Sequence, residues 1–144
     1  LATLEARIPF LHFFDGFRTS HSIQKIVPIE YEILKSLLDM KYVEAFRKQG
    51  LRPEDPMCKV GAQNPDVYFQ GRETVNKYYD ACSGIVKKYM EHVGKATGRY
   101  YKLYEYIGDP QATKILISMG SSTDTIEETI NYLTKKGEKV GAVK

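Results

Sequence analysis

The chain has 144 residues, of which 42% are hydrophobic and 27% are charged, and its formal net charge is +3. This composition is typical of a globular protein, and the length allows one hydrophobic core or two small ones. The small charge is evenly spread and no apolar run approaches the roughly 20 residues of a membrane-spanning helix, so we expect neither nucleic acid nor a membrane as a partner.

Cysteine and histidine content limits the metal and redox chemistry. The two cysteines, Cys58 and Cys82, lack a CxxC pattern and are too few for a disulfide framework, a four-cysteine zinc site or an iron–sulfur cluster. The three histidines, His12, His21 and His92, lack the spacing of metal ligands. We therefore expect reduced structural thiols and no metal site in this chain.

The first residues predict a helix end and a strand. Residues 1–7 are typical of the last turns of a helix, and Pro9 prevents that helix from continuing. The large apolar side chains of residues 9–14 predict a buried parallel strand, which the turn at Asp15 and Gly16 ends. Because the chain does not begin with Met, we expect it to be part of something larger.

Two short helices and a linker are predicted next. Apolar spacing predicts one helix over 30–38 and another over 40–49, with Asp39 as the N-cap of the second and Gly50 as its left-handed terminator. Three prolines within 51–70 predict a long ordered linker.

The second half predicts a long helix and then a β–α–β unit. Residues 72–95 have apolar side chains every three or four positions, and Gly98 is expected to end this helix. Residues 100–107 suit a strand or an extended segment. Residues 115–117 predict a buried strand and residues 139–143 predict the next one.

The turn after residue 117 is a candidate anion site. Gly120, Ser121 and Ser122 follow a strand and open a helix, so their free N–H groups could hold a phosphate or a carboxylate. The turn lacks the glycine pattern of dinucleotide sites and the lysine of a P-loop. A plain strand–helix turn, with Asp124 or Thr125 as helix cap, is the alternative.

The segment 15–21 is a second candidate site, because it follows a predicted parallel strand, where α/β sheets place ligands. A Ser–His–Asp triad is disfavoured, because adjacent Ser and His side chains in extended chain point to opposite sides. Polar contact with another domain or chain is the alternative. The candidate residues of the two segments are Asp15, Arg18, Thr19, Ser20, His21, Gly120, Ser121 and Ser122.

Tyrosine is frequent, with 11 residues. Interleaved lysines would suit base stacking on single-stranded nucleic acid. The helical spacing of Tyr78, Cys82 and Tyr89 instead favours packing in a core or a subunit interface.

Several segments together resemble one enzyme family. The segments HFFDGFRTSH (His12–His21), AQNPDVYFQ (Ala62–Gln70) and NKYYD (Asn76–Asp80), followed by ILISMGS from residue 115, resemble pyruvate:ferredoxin (flavodoxin) oxidoreductases. The resemblance keeps the family's order along the whole chain.

The resemblance implies a parent enzyme: a cytoplasmic homodimer that oxidatively decarboxylates pyruvate to acetyl-CoA. It implies thiamine diphosphate, Mg²⁺ and [4Fe–4S] clusters in the parent, and transfer of electrons to ferredoxin or flavodoxin, with CoA as co-substrate. Another 2-oxoacid as substrate, or a stand-alone anion-binding module, remain alternatives.

The resemblance also implies an α/β fold in two parts. Residues 1–38 would be the C-terminal part of the thiamine-pyrimidine-side domain. Residues 39–144 would be most of a transketolase C-terminal-like, Rossmann-type domain with parallel strands, truncated at its C-terminal end. The family's catalytic, cofactor-binding and cluster-binding motifs lie outside this stretch, so we assign none of those roles here and expect the isolated chain to be inactive.

Overall fold

The computed structural model describes residues 1–56 and 61–144, except for the side chain of Arg18. Its elements, in chain order, are α1 (Ala2–Ala6), α2 (Arg18–His21), α3 (Tyr31–Ser36), α4 (Met40–Lys48), α5 (Pro65–Glu73), α6 (Asn76–Thr97), β1 (Tyr106–Gly108), β2 (Lys114–Ile117), α7 (Ser122–Lys135) and β3 (Val140–Val143). The chain is therefore α/β, as predicted. No helix in the described part is long and apolar enough to cross a membrane.

The structure divides into two compact units, each built from two segments. The helical unit comprises Leu1–Phe10 and Pro28–Tyr101, and the sheet unit comprises Leu11–Val27 and Lys102–Lys144.

Local signals set the helices of the helical unit. The Asp39 side chain accepts a hydrogen bond from the Lys41 N–H at 3.0 Å and caps α4, as predicted. Gly98 ends α6 in the left-handed conformation at φ +73°, also as predicted. The role predicted for Gly50 is wrong, because α4 ends at Gln49 with a right-handed backbone.

The linker predicted over 51–70 includes residues that are helical in the structure. Helix α5 already begins at Pro65, a residue that suits a first helical position because it has no N–H to leave unsatisfied. The predicted thiol Cys58 lies outside the described residues, and Cys82 is a half-buried free cysteine.

Helix α1 packs against α6 and α4 around a charged contact. The Lys88 ammonium donates to both carboxylate oxygens of Glu5, at 2.7 and 2.9 Å. Burial by itself raises the pKa of Glu5, but hydrogen bonds from Lys88, Tyr89 and Tyr42 and the Lys88 charge outweigh it, so that the pKa is lowered. The ionised form of Glu5 is thus the form that joins α1 to α6.

The lowered pKa of Glu5 makes stability depend on pH. The ionised Glu5 contributes its full stabilisation above pH 4.5, the ordinary pKa of this carboxyl in the unfolded chain. The stabilisation is lost as the pH falls through the lower pKa that Glu5 has in the folded state. We expect Glu5→Gln to destabilise the chain by about 1 kcal/mol at pH 7 and by much less near pH 3. Denaturant unfolding across this range measures the difference. Glu91→Gln, an exposed carboxylate on α6, is the control, and an equal effect of both changes would contradict the prediction.

The sheet unit contains a mixed sheet in the order β1–β3–β2. Strands β2 and β3 are parallel and place Leu116 beside Ala142, as the β–α–β pattern predicts. Strand β1 is antiparallel to β3 and places Ile107 beside the same residue, which the prediction of parallel strands did not include. Helix α7 packs on β3 and β1 and buries Ile130, which is 6% exposed, near Ala142, which is 2% exposed.

Two predicted buried strands are not buried. Residues 9–14 form no strand, and Phe13 is 74% exposed. Residues 114–117 do form β2, but Ile117 is 79% exposed because β2 lies at the edge of the described sheet and α7 covers the other two strands. Apolar composition alone therefore overstated the burial of both segments. The described residues of this chain do not supply the neighbours that would cover them.

Tyrosine burial is also less than predicted. Tyr89 is buried at 8% exposure, whereas Tyr78 and Tyr79 are 39% and 53% exposed. Core packing is therefore confirmed for Tyr89, whereas for Tyr78 only the alternative, a subunit interface, remains. A role of tyrosines in a subunit interface stays a prediction.

Candidate functional site

Both candidate segments meet at the N-terminus of α7. The Ser121 N–H donates to Asp15 Oδ2 at 2.7 Å, although the two residues are 106 positions apart. Gly120 has φ +79°, and a Cβ at this position would lie 2.9 Å from the same carboxylate oxygen. The chain's own carboxylate therefore occupies the place where the sequence predicted a bound anion.

This position favours the ionised carboxylate. Hydrogen bonds from the Ser121 hydroxyl and the Ser121 N–H lower the pKa of Asp15 below its ordinary value. The partial positive charge at the start of a helix acts in the same direction. Asp15 is thus a negatively charged contact between the segment 11–27 and α7 at neutral pH.

Loss of the Ser121 hydroxyl should raise the pKa of Asp15. In the wild-type chain we expect the carboxyl carbon of Asp15 to titrate below 3.8 in an NMR pH series, and in Ser121→Ala closer to 3.8. Ser122→Ala is the matched control, because that hydroxyl bonds to Met119 O at 3.2 Å and lies 2.8 Å from Ser118 Oγ. An Asp15 midpoint that is the same in both variants would contradict the assignment.

A cleft of about 410 Å³ adjoins this contact in the sheet unit. It is lined by Phe13, Phe14, Asp15, Thr19, Ser22, Gln24, Gly120, Ser121 and Asp124. Asp15 and Asp124 give the described lining a negative charge, which disfavours a second anion. Asp124 and Thr125 lie inside α7, so the prediction that one of them caps the helix is wrong.

The remaining candidates bond within their own turns. Residues 18–21 are helical, so Ser20 and His21 are not on opposite sides of an extended chain as assumed from the sequence. Ser20 Oγ lies 3.1 Å from His21 Nδ1, and both atoms are within hydrogen-bond distance of the Phe17 carbonyl oxygen. Asp15 bonds to Ser121 instead, so these three residues form no triad. The Arg18 side chain lies outside the described part of the structure.

The helical unit contains a cleft that sequence patterns did not indicate. It has a volume of about 400 Å³, and its polar lining is formed by Arg7, Gln49, Arg72, Tyr78 and Tyr79. We call it the Arg7–Arg72 cleft. These residues form no sequence motif, because they are spread over four elements: Arg7 and Gln49 are the C-caps of α1 and α4, Arg72 is in α5 and the two tyrosines are in α6.

Within the described ranges, no three His, Cys, Asp or Glu side chains are grouped so that they could hold a metal ion. Neither cleft therefore offers a set of metal ligands from the described residues.

Comparison with known proteins assigns the class. Residues 1–91 match the family model described as "Pyruvate flavodoxin/ferredoxin oxidoreductase, thiamine diP-bdg". The chain belongs to this family, and the resemblance inferred from its sequence segments is confirmed.

Individual relatives are similar over the whole chain. The chain is 57% identical over 144 residues to the pyruvate:ferredoxin oxidoreductase of Moorella thermoacetica and 54% identical over 142 residues to the pyruvate-flavodoxin oxidoreductase of Trichormus variabilis. It is 46% identical over 144 residues to a probable pyruvate-flavodoxin oxidoreductase of Escherichia coli. The alignments cover 99% or more of this chain and 12% of each relative.

Proposed function

We propose that this chain is a non-catalytic segment of an enzyme that oxidatively decarboxylates pyruvate to acetyl-CoA and passes the electrons to ferredoxin or flavodoxin. The carrying observation is the 57% identity to the Moorella thermoacetica protein over the full 144 residues. A cytoplasmic location and a homodimeric enzyme are part of this proposal. A stand-alone module that binds its anion at the start of α7 is disfavoured, because the Asp15 carboxylate already accepts the hydrogen bond of the Ser121 N–H there.

The described residues of this chain do not fit the cofactors of the proposed enzyme. The sequence has two cysteines, whereas a [4Fe–4S] cluster generally uses four thiolates. The described residues offer no grouped ligands for Mg²⁺, and at the helix start that the sequence suggested for a phosphate or a carboxylate the Ser121 N–H donates to Asp15 instead. Thiamine diphosphate, Mg²⁺ and the clusters would therefore be bound by other parts of the polypeptide, and we derive no catalytic step from this chain.

We propose a structural role for the contact between Asp15 and Ser121. It joins the segment that carries Thr19, Ser20 and His21 to the start of α7 by a charge-assisted hydrogen bond. Residues 15–21 would then present polar groups to a neighbouring domain or to the edge of a ligand site. The partner in this role is the remainder of the same polypeptide or the second subunit.

For the domains, we propose that residues 1–38 end a thiamine-pyrimidine-side domain and residues 39–144 belong to a transketolase C-terminal-like domain. The parallel pair β2 and β3, joined by α7, supports the second assignment. A boundary near residue 102 is the competing division, because α1 packs against α6 and the family match extends to residue 91. Limited proteolysis of the complete polypeptide distinguishes them by cleavage near residue 38 or near residue 102.

Activity assays test the functional proposal. The complete polypeptide that carries this chain is expected to reduce an electron-accepting dye when pyruvate, CoA and thiamine diphosphate are supplied. Other 2-oxoacids in place of pyruvate test the substrate. The 144-residue chain alone is expected to reduce no dye under the same conditions, and reduction by this chain alone would overturn the non-catalytic role.

A further inference from the structure

The Arg7–Arg72 cleft concentrates positive charge in the helical unit. Two arginines, Gln49 and the two tyrosines Tyr78 and Tyr79 are among the residues that line it, and none of the described lining residues is acidic. This differs from the cleft of the sheet unit, where two carboxylates are present. Guanidinium groups that share a cleft repel each other unless an anion lies between them.

Arg7 is held in place before any anion arrives. Its Nη2 donates to Gln49 Oε1, and its guanidinium lies 5.5 Å from the centre of the Phe46 ring. These contacts reduce the side-chain entropy that binding would otherwise remove. The Arg7 backbone is left-handed at φ +59° because this residue is the C-cap of α1, where its N–H donates to the Thr3 carbonyl oxygen.

Arg72 leaves its donors available. It lies in the last turn of α5, and among the described residues no hydrogen bond or ion pair of its side chain is found. Arg52, in contrast, lies 3.6 Å from the carboxylate of Asp55. The five N–H groups of a guanidinium suit the paired oxygens of a carboxylate or a phosphate.

We propose that the Arg7–Arg72 cleft binds an oxyanion, a carboxylate or a phosphate group, between its two guanidinium groups. Arg72 supplies the main bidentate contact, Arg7 supplies a second charge, and the tyrosine hydroxyls donate to the remaining oxygens. The oxyanion belongs either to a free phosphorylated ligand or to an acidic side chain elsewhere in the polypeptide. Both sources present the same chemistry to the cleft.

Hydrogen–deuterium exchange in the complete polypeptide tests the proposal without relying on activity or on folding of the isolated chain. Inorganic pyrophosphate is the probe, added with excess thiamine diphosphate so that a diphosphate site elsewhere is already filled. Exchange of residues 65–79 is compared between wild type, Arg72→Gln and Arg47→Gln. Arg47 is the matched control, because it also lies in the last turn of a helix of the same unit but does not line the cleft.

If the oxyanion belongs to a free ligand, pyrophosphate is expected to slow hydrogen exchange of residues 65–79 in a saturable manner. Arg72→Gln is then expected to weaken pyrophosphate binding roughly 10- to 100-fold, whereas Arg47→Gln changes it less than twofold. If the oxyanion is instead a carboxylate of the same polypeptide, pyrophosphate is expected to leave the exchange of residues 65–79 unchanged. Exchange of these residues is then expected to be faster in Arg72→Gln than in Arg47→Gln. Either result supports an oxyanion in the cleft. If both variants match each other with and without pyrophosphate, the proposal is overturned.

Discussion

Gly108→Ala is expected to destabilise the sheet unit by about 2–5 kcal/mol. Gly108 has φ +112°, where a residue with a Cβ is strained. A Cβ here would lie 2.8 Å from the Cα of Gly141 on β3 and 2.8 Å from Cγ2 of Ile130 on α7. The backbone of β3 cannot yield without losing its pairing with β1, and Ile130 is part of the small buried core. The substitution therefore adds overpacking to backbone strain.

Gly137→Ala separates these two contributions. Gly137 also has a positive φ, +88°, but a Cβ at this position meets nothing within 4 Å. We expect it to lower the free energy of unfolding by about 1–2 kcal/mol, from backbone strain alone. Denaturant unfolding of both variants gives the difference. If Gly108→Ala is no more destabilising than Gly137→Ala, the close approach of β1, β3 and α7 is not present in solution.

Sequence reasoning succeeded where the determinants were local. Asp39 caps α4 and Gly98 ends α6 because each signal acts on its own helix terminus. Strands β2 and β3 were also found, since a β–α–β pattern needs only about 30 consecutive residues. Burial was not predictable in the same way. An apolar run such as residues 9–14 has the composition of a buried strand whether or not neighbouring strands are present.

The sequence predicted the two segments of the candidate site but not the contact between them. Residues 15–21 and 120–122 were each identified from their position after an apolar strand or before a helix, but their contact was not. A hydrogen bond between Asp15 and Ser121 crosses 106 positions and leaves no periodicity in the sequence. Because of this contact, the start of α7 is interpreted as an internal contact and not as a binding site for a separate anion. The anion at the helix start is the Asp15 carboxylate of the same protein. The Arg7–Arg72 cleft had no sequence signal, since its residues come from separate helices.

Tyr89→Ala should have the largest effect in the helical unit, with an expected loss of about 3–5 kcal/mol of unfolding free energy. Tyr89 is 8% exposed and packs with its ring edge-on to His92, with centroids 5.8 Å apart. Burial, followed by the hydrogen bond to the Glu5 carboxylate, raises the pKa of Tyr89 to about 12. Its truncation removes packing between α6 and α1 and one donor to a charged group.

Two further variants show which part of Tyr89 matters. Tyr89→Phe keeps the ring and removes only the hydroxyl, and Lys88 still donates to Glu5, so a loss of about 1 kcal/mol is expected. Tyr79→Ala, on the same helix at 53% exposure, should change stability far less than Tyr89→Ala. The unfolding free energies of the three variants are compared at pH 7, where the tyrosine is neutral, so that only packing and hydrogen bonding differ. Equal losses for Tyr89→Ala and Tyr79→Ala would mean that α6 does not bury Tyr89 against α1, and the ionic contact between Glu5 and Lys88 would then have to hold these helices together without it.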